Sequence, residues 1–417
     1  MSNFLLFIYK ILSVIFLPIV IIVIIFRVLQ GKEINKRIKE RFAFSSVKRP
    51  QGKLIWFNAS SIGEYLATIS LIKKIRKIKP SAKILITTNT KTSAILAKKI
   101  KDKNIIHQFT PQDNLLVIKK FLNYWKPSLV LWMESEFWPI ILDETKKYGI
   151  EMILLNGRMS DKSFKNWSCF KFFFKQLISN FSLVLTMSKI DQTNFKKLGT
   201  KNVNFLGNLK FCNEEQPYDK KIEKKIKKII KNKTVWLAAS THPGEEKLAN
   251  QLHNSLKNEF KNILTVIVPR NIKRALDIKK DINNNSKLFS DYTLTNNTDI
   301  IIDDSIGQLE IWYKNVKTVF LGKSYPPKGG QNPIEPARNG CAIISGKMSN
   351  FKEIENEMLK KKCLIVSNNP NQFYLKIKDC IKETKNTKKI RHNAKKYVQS
   401  KSFILNKTIK TIKKYLV

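Results

Sequence analysis

Acidic residues and arginine are both scarce in this chain. Asp and Glu number 32 against 77 Lys and Arg, and only ten of the 77 are Arg. The resulting net charge of +45 fits an anionic partner, whether nucleic acid, an acidic membrane or a phosphorylated substrate. It equally fits compositional drift, because Lys, Asn and Ile are all abundant. The shortage of Arg argues against a reader of nucleic-acid bases, which favours bidentate guanidinium contacts. Paired cysteines are missing too. Cys169, Cys212, Cys341, Cys363 and Cys380 are scattered, with no C-x-x-C pair. That argues against a disulfide framework or a zinc site and fits a reducing compartment. Four widely spread His residues point away from a metal centre. No G-x-x-x-x-G-K-S/T occurs, which excludes a P-loop, and no strand is followed by G-x-G-x-x-G. Nothing marks a Ser-His-Asp triad.

What is present begins at the N-terminus. Phe4 to Phe26 is apolar except for Lys10, and about 20 such residues suffice to span a bilayer. Lys10 lies near one end, where its amine can snorkel to the headgroups. No small-residue cleavage site follows. Arg27, Lys32, Lys36, Arg37, Lys39 and Arg41 come next, so the positive-inside rule puts the remainder on the cytoplasmic side. The excess Lys would there meet anionic lipid. The same stretch also suits a helix lying in the interface or packing on the protein. Beyond it, continuous β-branched runs alternate with helical patterns: KLIWFNA, KILITTNT, SLVLWMES, EMILLNGR, SLVLTMS and VNFLGNL. That is the βαβ signature of a parallel sheet. Residues 212–233 are Lys-dense and read as a connection carrying one exposed helix. The alternation restarts with TVWLAAS, ILTVIVPR, DIIIDD, TVFLGKS, CAIIS and CLIVS. The expected organisation is an anchor at 1–27, α/β domains at 28–211 and 234–389 joined by 212–233, and a basic helical segment at 390–417.

Ligands of open parallel sheets bind at the carboxyl ends of strands, and polar residues collect there. Ser60-Ser61-Ile62-Gly63-Glu64 follows the first run, Glu134-Ser135-Glu136 the third, and Asn156-Gly157-Arg158 the fourth. Ser188 ends the fifth run, and Gly207, Asn208 and Lys210 end the sixth. Glu64 in the first turn of a helix suits the helix dipole. It also suits a general base that takes a proton from an attacking hydroxyl. Glu134 ends an apolar strand and needs a partner, for which Lys210 is the candidate. In the second half, Ser240 and Thr241 are placed to cap a helix beside His242.

The stretch from Gly329 to Gly340, GGQNPIEPARNG, follows a strand. Asn332 suits an N-cap, Pro333 the first helical position and Glu335 the third, a variant of the capping box. Capping alone accounts for these three residues. The preceding glycine pair adds a second account, in which free N–H groups attract a phosphate and Glu335 accepts hydrogen bonds from ribose hydroxyls.

SSIGE, TTNT, MESEFWP, NGRMS, GNLKF, STHPGEE, VPR, SIGQLEIWY and GGQNPIE occur in order. With Arg37 and Arg41 ahead of them, the series resembles the bacterial 3-deoxy-D-manno-octulosonic acid (Kdo) transferases of lipopolysaccharide biosynthesis. The resemblance implies a GT-B glycosyltransferase, α/β throughout, with two Rossmann-like domains facing across a cleft and an N-terminal membrane-anchor helix. It implies metal-independent, inverting transfer without a cofactor, from CMP-Kdo to the lipid A precursor (lipid IVA) at the cytoplasmic face of the inner membrane. Carried over residue by residue, Glu64 matches the general base, and Glu134 and Lys210 match residues that stabilise the transition state. Pro269 and Arg270, then Ile306, Gly307 and Gln308, then Asn332, Pro333, Ile334 and Glu335, match CMP-binding segments. Two positions depart from the family pattern. Gln308 stands for its usual Glu and Gln331 for its usual His, so donor affinity is open to change while Glu64 is untouched. Other nucleotide sugars or lipid acceptors on the same fold remain the alternative. A basic, membrane-anchored nucleic-acid binder lacks any zinc, RNP or helix-turn-helix signature, so no specific nucleic-acid partner is expected.

Overall fold

The computed structural model describes residues 2–214, 218–282, 285–291 and 297–416. It divides into two units, Met1–Glu214 with Ser402–Val417, and Glu215–Lys401. In the first, seven strands run β1 Leu54–Asn58, β2 Lys83–Thr88, β3 Ile105–Phe109, β4 Leu129–Met133, β5 Glu151–Gly157, β6 Leu183–Thr186 and β7 Val203–Phe205. Every neighbouring pair is parallel, in the order β3-β2-β1-β4-β5-β6-β7. The order reverses between β1 and β4, which creates a switch point where side chains after both strands converge. β1 and β4 are buried along their whole lengths, as their apolar runs Leu54 to Phe57 and Leu129 to Met133 require. Trp56 and Trp132 meet edge to face at 5.7 Å between them.

The second unit repeats the plan with β8 Thr234–Thr241, β9 Ile263–Pro269, β10 Ser286–Leu288, β11 Ile300–Ile302, β12 Thr318–Leu321, β13 Ala342–Ser345 and β14 Ile365–Val366. Its order is β10-β11-β9-β8-β12-β13-β14, again parallel. Its switch point lies between β8 and β12. Each sheet carries one register shift near its candidate site, in β5 between Leu154 and Gly157 and in β8 between Ala239 and Thr241. A non-glycine residue with positive φ sits in each: Asn156 at 54° and Ser240 at 54°. Such bulges redirect a side chain out of the strand's alternation.

Three organisational expectations need correction. The N-terminal run is not one straight helix. It forms α1 Ser2–Ile15 and α2 Leu17–Leu29, bent by 59°. Pro18 enters the first turn of α2, where its missing N–H and its ring interrupt the preceding helix. No single helix among the described residues is long and apolar enough to cross a membrane, although the bent pair together has the length and composition. Lys10 does not reach outward either. It is buried, with its amine against Asp143 and Glu144. Tyr9 donates to Asp113 at 3.1 Å, and Asn114 donates to the Ser13 carbonyl at 2.5 Å. Helix α1 is thus docked on the first unit.

Segment 212–233 is more than a connection. Residues 215–217 lie outside the described residues, but helix Lys220–Ile230 belongs to the second unit and buries Ile226 completely. Nor is 390–417 one segment. Helix Lys385–Gln399 packs in the second unit, with Arg391 donating to the Gly340 carbonyl at 2.8 Å. Helix Phe403–Ile412 returns to the first unit, where it meets α3 (Ile62–Ile78). Lys79 there donates to the Leu416 carbonyl at 2.7 Å. Ile404 and Ile412 are buried and explain the return.

If α1 is held by the Lys10 ion pairs, Lys10→Ala leaves the buried Asp143 and Glu144 carboxylates to the largely exposed amine of Lys147 and is expected to destabilise the first unit by roughly 2–3 kcal/mol. Denaturant unfolding of the full chain checks this. A loss below about 1 kcal/mol would match a solvent-exposed pair and contradict the docking.

Candidate active site

Glu64 is set by the first turn of α3. Ser61 is the N-cap; its hydroxyl accepts from the Glu64 amide at 3.3 Å and donates to Glu64 Oε1 at 2.8 Å. The other oxygen, Oε2, accepts from the Ser60 amide at 2.9 Å. The residue therefore closes the helix start through the Ser61 hydroxyl and the Ser60 amide, and is a carboxylate held rigidly at the switch point. The side chain is almost fully buried, at 6% exposure. Burial raises the Glu64 carboxyl to about 8, and the negative charge of Glu134 adds to the shift. The Ser61 and Ser60 hydrogen bonds and the Lys210 charge oppose it without cancelling it. Desolvation wins because two hydrogen bonds and one cation do not replace a full hydration shell.

Glu134 follows β4 in a left-handed conformation, φ 57°. Its Oε1 lies 2.5 Å from Lys210 Nζ and accepts from Asn156 Nδ2 at 3.2 Å. Asn156 also accepts from the Leu209 amide at 2.9 Å. One amide side chain thereby ties the end of β4 to the 3-10 turn Leu209–Cys212 that carries Lys210. Lys210 runs over Gly63, so closely that a Cβ there would lie 3.6 Å from its Cε. The three residues singled out from separate strand ends, Glu64, Glu134 and Lys210, thus come together in one unit. Asn156 was visible only as another polar strand end; its bridging role comes from the β5 bulge. An acid poised to titrate near neutrality, beside a fixed cation, can accept a proton from a hydroxyl while the cation stabilises developing negative charge.

The second unit has its own buried carboxylate. Glu245, 1% exposed, accepts backbone N–H bonds from His242 at 2.8 Å, Lys323 at 2.7 Å, Ser324 at 2.9 Å and Tyr325 at 3.0 Å. It binds the loop after β8 to the loop after β12. Glu246 accepts from Thr241 Oγ1 at 2.9 Å and pairs with Arg274 at 2.9 Å. These two acids were legible only as part of STHPGEE. The expected cap by Ser240 or Thr241 is not formed. Gly244 is the N-cap of helix Glu245–Lys257, Thr241 is bonded to Glu246, and the His242 amide is taken by Glu245.

Pro269 ends β9 and Arg270 beyond it is exposed, with its amide bonded to the Thr241 carbonyl at 3.0 Å. Ile306, Gly307 and Gln308 form a loop entering helix Leu309–Asn315. Asp303 fixes it, accepting from the Ser305 amide at 2.9 Å and from Trp312 Nε1 at 2.6 Å. Asn332 accepts from the Ile334 amide at 3.1 Å. The helix there is only Ile334–Arg338 with Pro333 as N-cap. It starts one residue later than a capping box from Asn332 to Glu335 needs, so that expectation is corrected. The glycine pair is explained within the unit. A Cβ on Gly329 (φ 103°) would come 2.3 Å from the Asn350 side chain, and one on Gly330 (φ 73°) 2.6 Å from Met348. Among the described residues no group of three or more His, Cys, Asp or Glu side chains is gathered to hold a metal ion.

A sequence model of the 3-deoxy-D-manno-octulosonic-acid transferase (kdotransferase) family matches residues 36–213. A 3-deoxy-D-manno-octulosonic acid transferase of Rickettsia bellii is 34% identical, over 98% of this chain and 99% of that protein. The chain belongs to the Kdo transferase family. The Haemophilus influenzae Kdo transferase is 29% identical over 84% of each chain. Among solved structures, S. aureus MnaA with UDP superposes with a TM-score of 0.59 at 13% identity, covering 88% of this chain and 97% of that one. At that identity the likeness speaks for the two-domain α/β fold alone. Family membership makes this Kdo transferase homologue a glycosyltransferase.

Replacing Glu134 by Gln removes the negative charge that helps raise Glu64 and leaves the Lys210 charge without its carboxylate partner beside it. Both changes favour ionised Glu64, so the acid limb of kcat/KM against pH is expected to move below the wild-type value near 8. An unmoved limb would contradict electrostatic coupling of the two carboxylates.

Proposed function

We propose that this enzyme transfers Kdo from CMP-Kdo to the lipid A precursor, with inversion and without a metal, at the cytoplasmic face of the bacterial inner membrane. The observation that carries the reading is Glu64, buried with its carboxyl raised to about 8, beside the Glu134–Lys210 pair. Ionised Glu64 takes the proton of the acceptor hydroxyl as its oxygen attacks the anomeric carbon of Kdo. The bond to the phosphate breaks with its electron pair, and CMP departs. Attack opposite the leaving group inverts the anomeric centre. Lys210 offsets negative charge developing during the exchange, and Glu134 with Asn156 holds it in place.

On the second unit the donor nucleotide takes Arg270 and the segments Ile306–Gln308 and Asn332–Glu335, the positions matched to CMP binding. Glu245 and Asp303 support the reading by fixing loops that lead into those segments. Gln308 and Gln331 keep hydrogen-bonding capacity without an acid's charge or an imidazole's proton exchange. Helix α2 supports the membrane reading, since Ile22, Ile25, Phe26 and Leu29 are all more than half exposed. An apolar face of that kind next to basic residues suits the membrane interface.

Incubation with CMP-Kdo and lipid A precursor, read as CMP release and a gain in lipid mass, tests the assignment. Wild type is expected to turn over, and Glu64→Gln to lose at least about 100-fold in kcat. Turnover only with another nucleotide sugar would overturn the donor, and retained activity in Glu64→Gln would overturn the base.

A further inference from the structure

A cavity of about 400 Å³ lies between α2 and the ends of β2 and β3, within the ~300–1,000 Å³ range of ligand sites. Its apolar wall is Ile19, Val20, Val23 and Ile24 of α2, faced by Pro111, Trp138 and Ile141, with Gln112 and Asp113 also lining that side. Its other end is polar and ordered. Arg27, from the last turn of α2, donates to Glu33 at 2.8 Å while its side chain remains 44% exposed. Glu33 also pairs with buried Arg41 at 3.2 Å. Arg41 donates to the Asn89 carbonyl at 2.7 Å and stands 4.4 Å over the Phe109 ring.

That polar end leads to the candidate base. Asn89 Nδ2 donates to Ser60 Oγ at 3.1 Å, and the Ser60 amide donates to Glu64 Oε2 at 2.9 Å. The space is therefore apolar along the helix that carries the exposed apolar face, and polar where it approaches the residues holding Glu64. A ligand with a hydrocarbon tail and a hydroxyl to be deprotonated matches both ends.

We propose that this cavity takes an acyl chain of the lipid acceptor, with Arg27 at the polar end of the ligand. The proposal rests on the transferase reading above for the identity of the acceptor. Burial of a chain here makes α2 part of acceptor recognition as well as of membrane attachment.

The test uses the full chain in detergent micelles with a lipid A precursor carrying a diazirine at the end of one acyl chain. Illumination is expected to label α2 or the segment around Pro111, and unlabelled acceptor is expected to compete. A phospholipid bearing the same diazirine is the second arm; labelling of these positions that excess acceptor does not displace would overturn the proposal in favour of a resident lipid. Val20→Trp, which fills the cavity, is expected to raise KM for the acylated acceptor about tenfold, the equivalent of roughly two buried methylenes. Turnover of a deacylated, water-soluble acceptor should be unchanged. Active wild-type protein labelled elsewhere would overturn the slot. Wild-type protein labelled here that transfers no sugar would overturn the transferase reading and leave the slot standing.

Discussion

The first unit depends on one electrostatic arrangement. Two carboxylates and one ammonium are held in a space that excludes most water, and the positive charge is bonded to only one of the acids. Glu134 has Lys210 at 2.5 Å and Asn156 at 3.2 Å. Glu64 has two hydrogen bonds from Ser60 and Ser61 and, among the described residues, no ion pair of its own. Burial is what leaves Glu64 raised, and the Glu134 charge adds to it; a cation bonded directly to Glu64 would have favoured its ionised form. The parallel sheet makes this possible. Its switch point brings the residues after β1 and β4 side by side, and the bulge in β5 turns Asn156 toward both Glu134 and the turn bearing Lys210.

The second unit solves a different problem with the same residue type. Glu245 is buried without a cation and is satisfied by four backbone N–H groups from two loops. A carboxylate so placed acts as a bracket between loops. It consumes the His242 amide, which the sequence left open for a ligand. The contrast separates a carboxylate that holds structure from one that is placed to exchange a proton.

Much of this was legible in the sequence, and the exceptions have physical causes. β1 and β4 stood out because both faces are buried and every residue but the terminal Asn58 is apolar or aromatic. β3, with His107 and Gln108 in its five residues, and β10, with Ser286 and Lys287 in its three, are edge strands whose mixed composition gave no such run. Glu64, Glu134 and Lys210 were visible as charged residues at strand ends. Asn156 and Glu245 were not separable from their neighbours, because their importance lies in partners 53 and 80 residues away along the chain. The N-terminal run misled for a related reason. Hydropathy records Phe4 to Phe26 as one span, whereas Pro18 breaks it and the acids that receive Lys10 lie more than 130 residues downstream. The C-terminal helices looked like a single basic tail because buried Ile404 and Ile412 belong to the first unit, whose other residues lie far upstream in the chain.

Burial raises the Glu64 carboxyl to about 8, which makes it a protonated acid at neutral pH that ionises just above it. Isotope-edited infrared difference spectroscopy of the intact enzyme reads this directly, by following the carboxylic-acid carbonyl band and assigning it by its loss in Glu64→Gln. The account predicts a Glu64 band present at pH 6 and lost with a midpoint of about 8. A band that disappears near the ordinary carboxyl value of about 4.3 would contradict it.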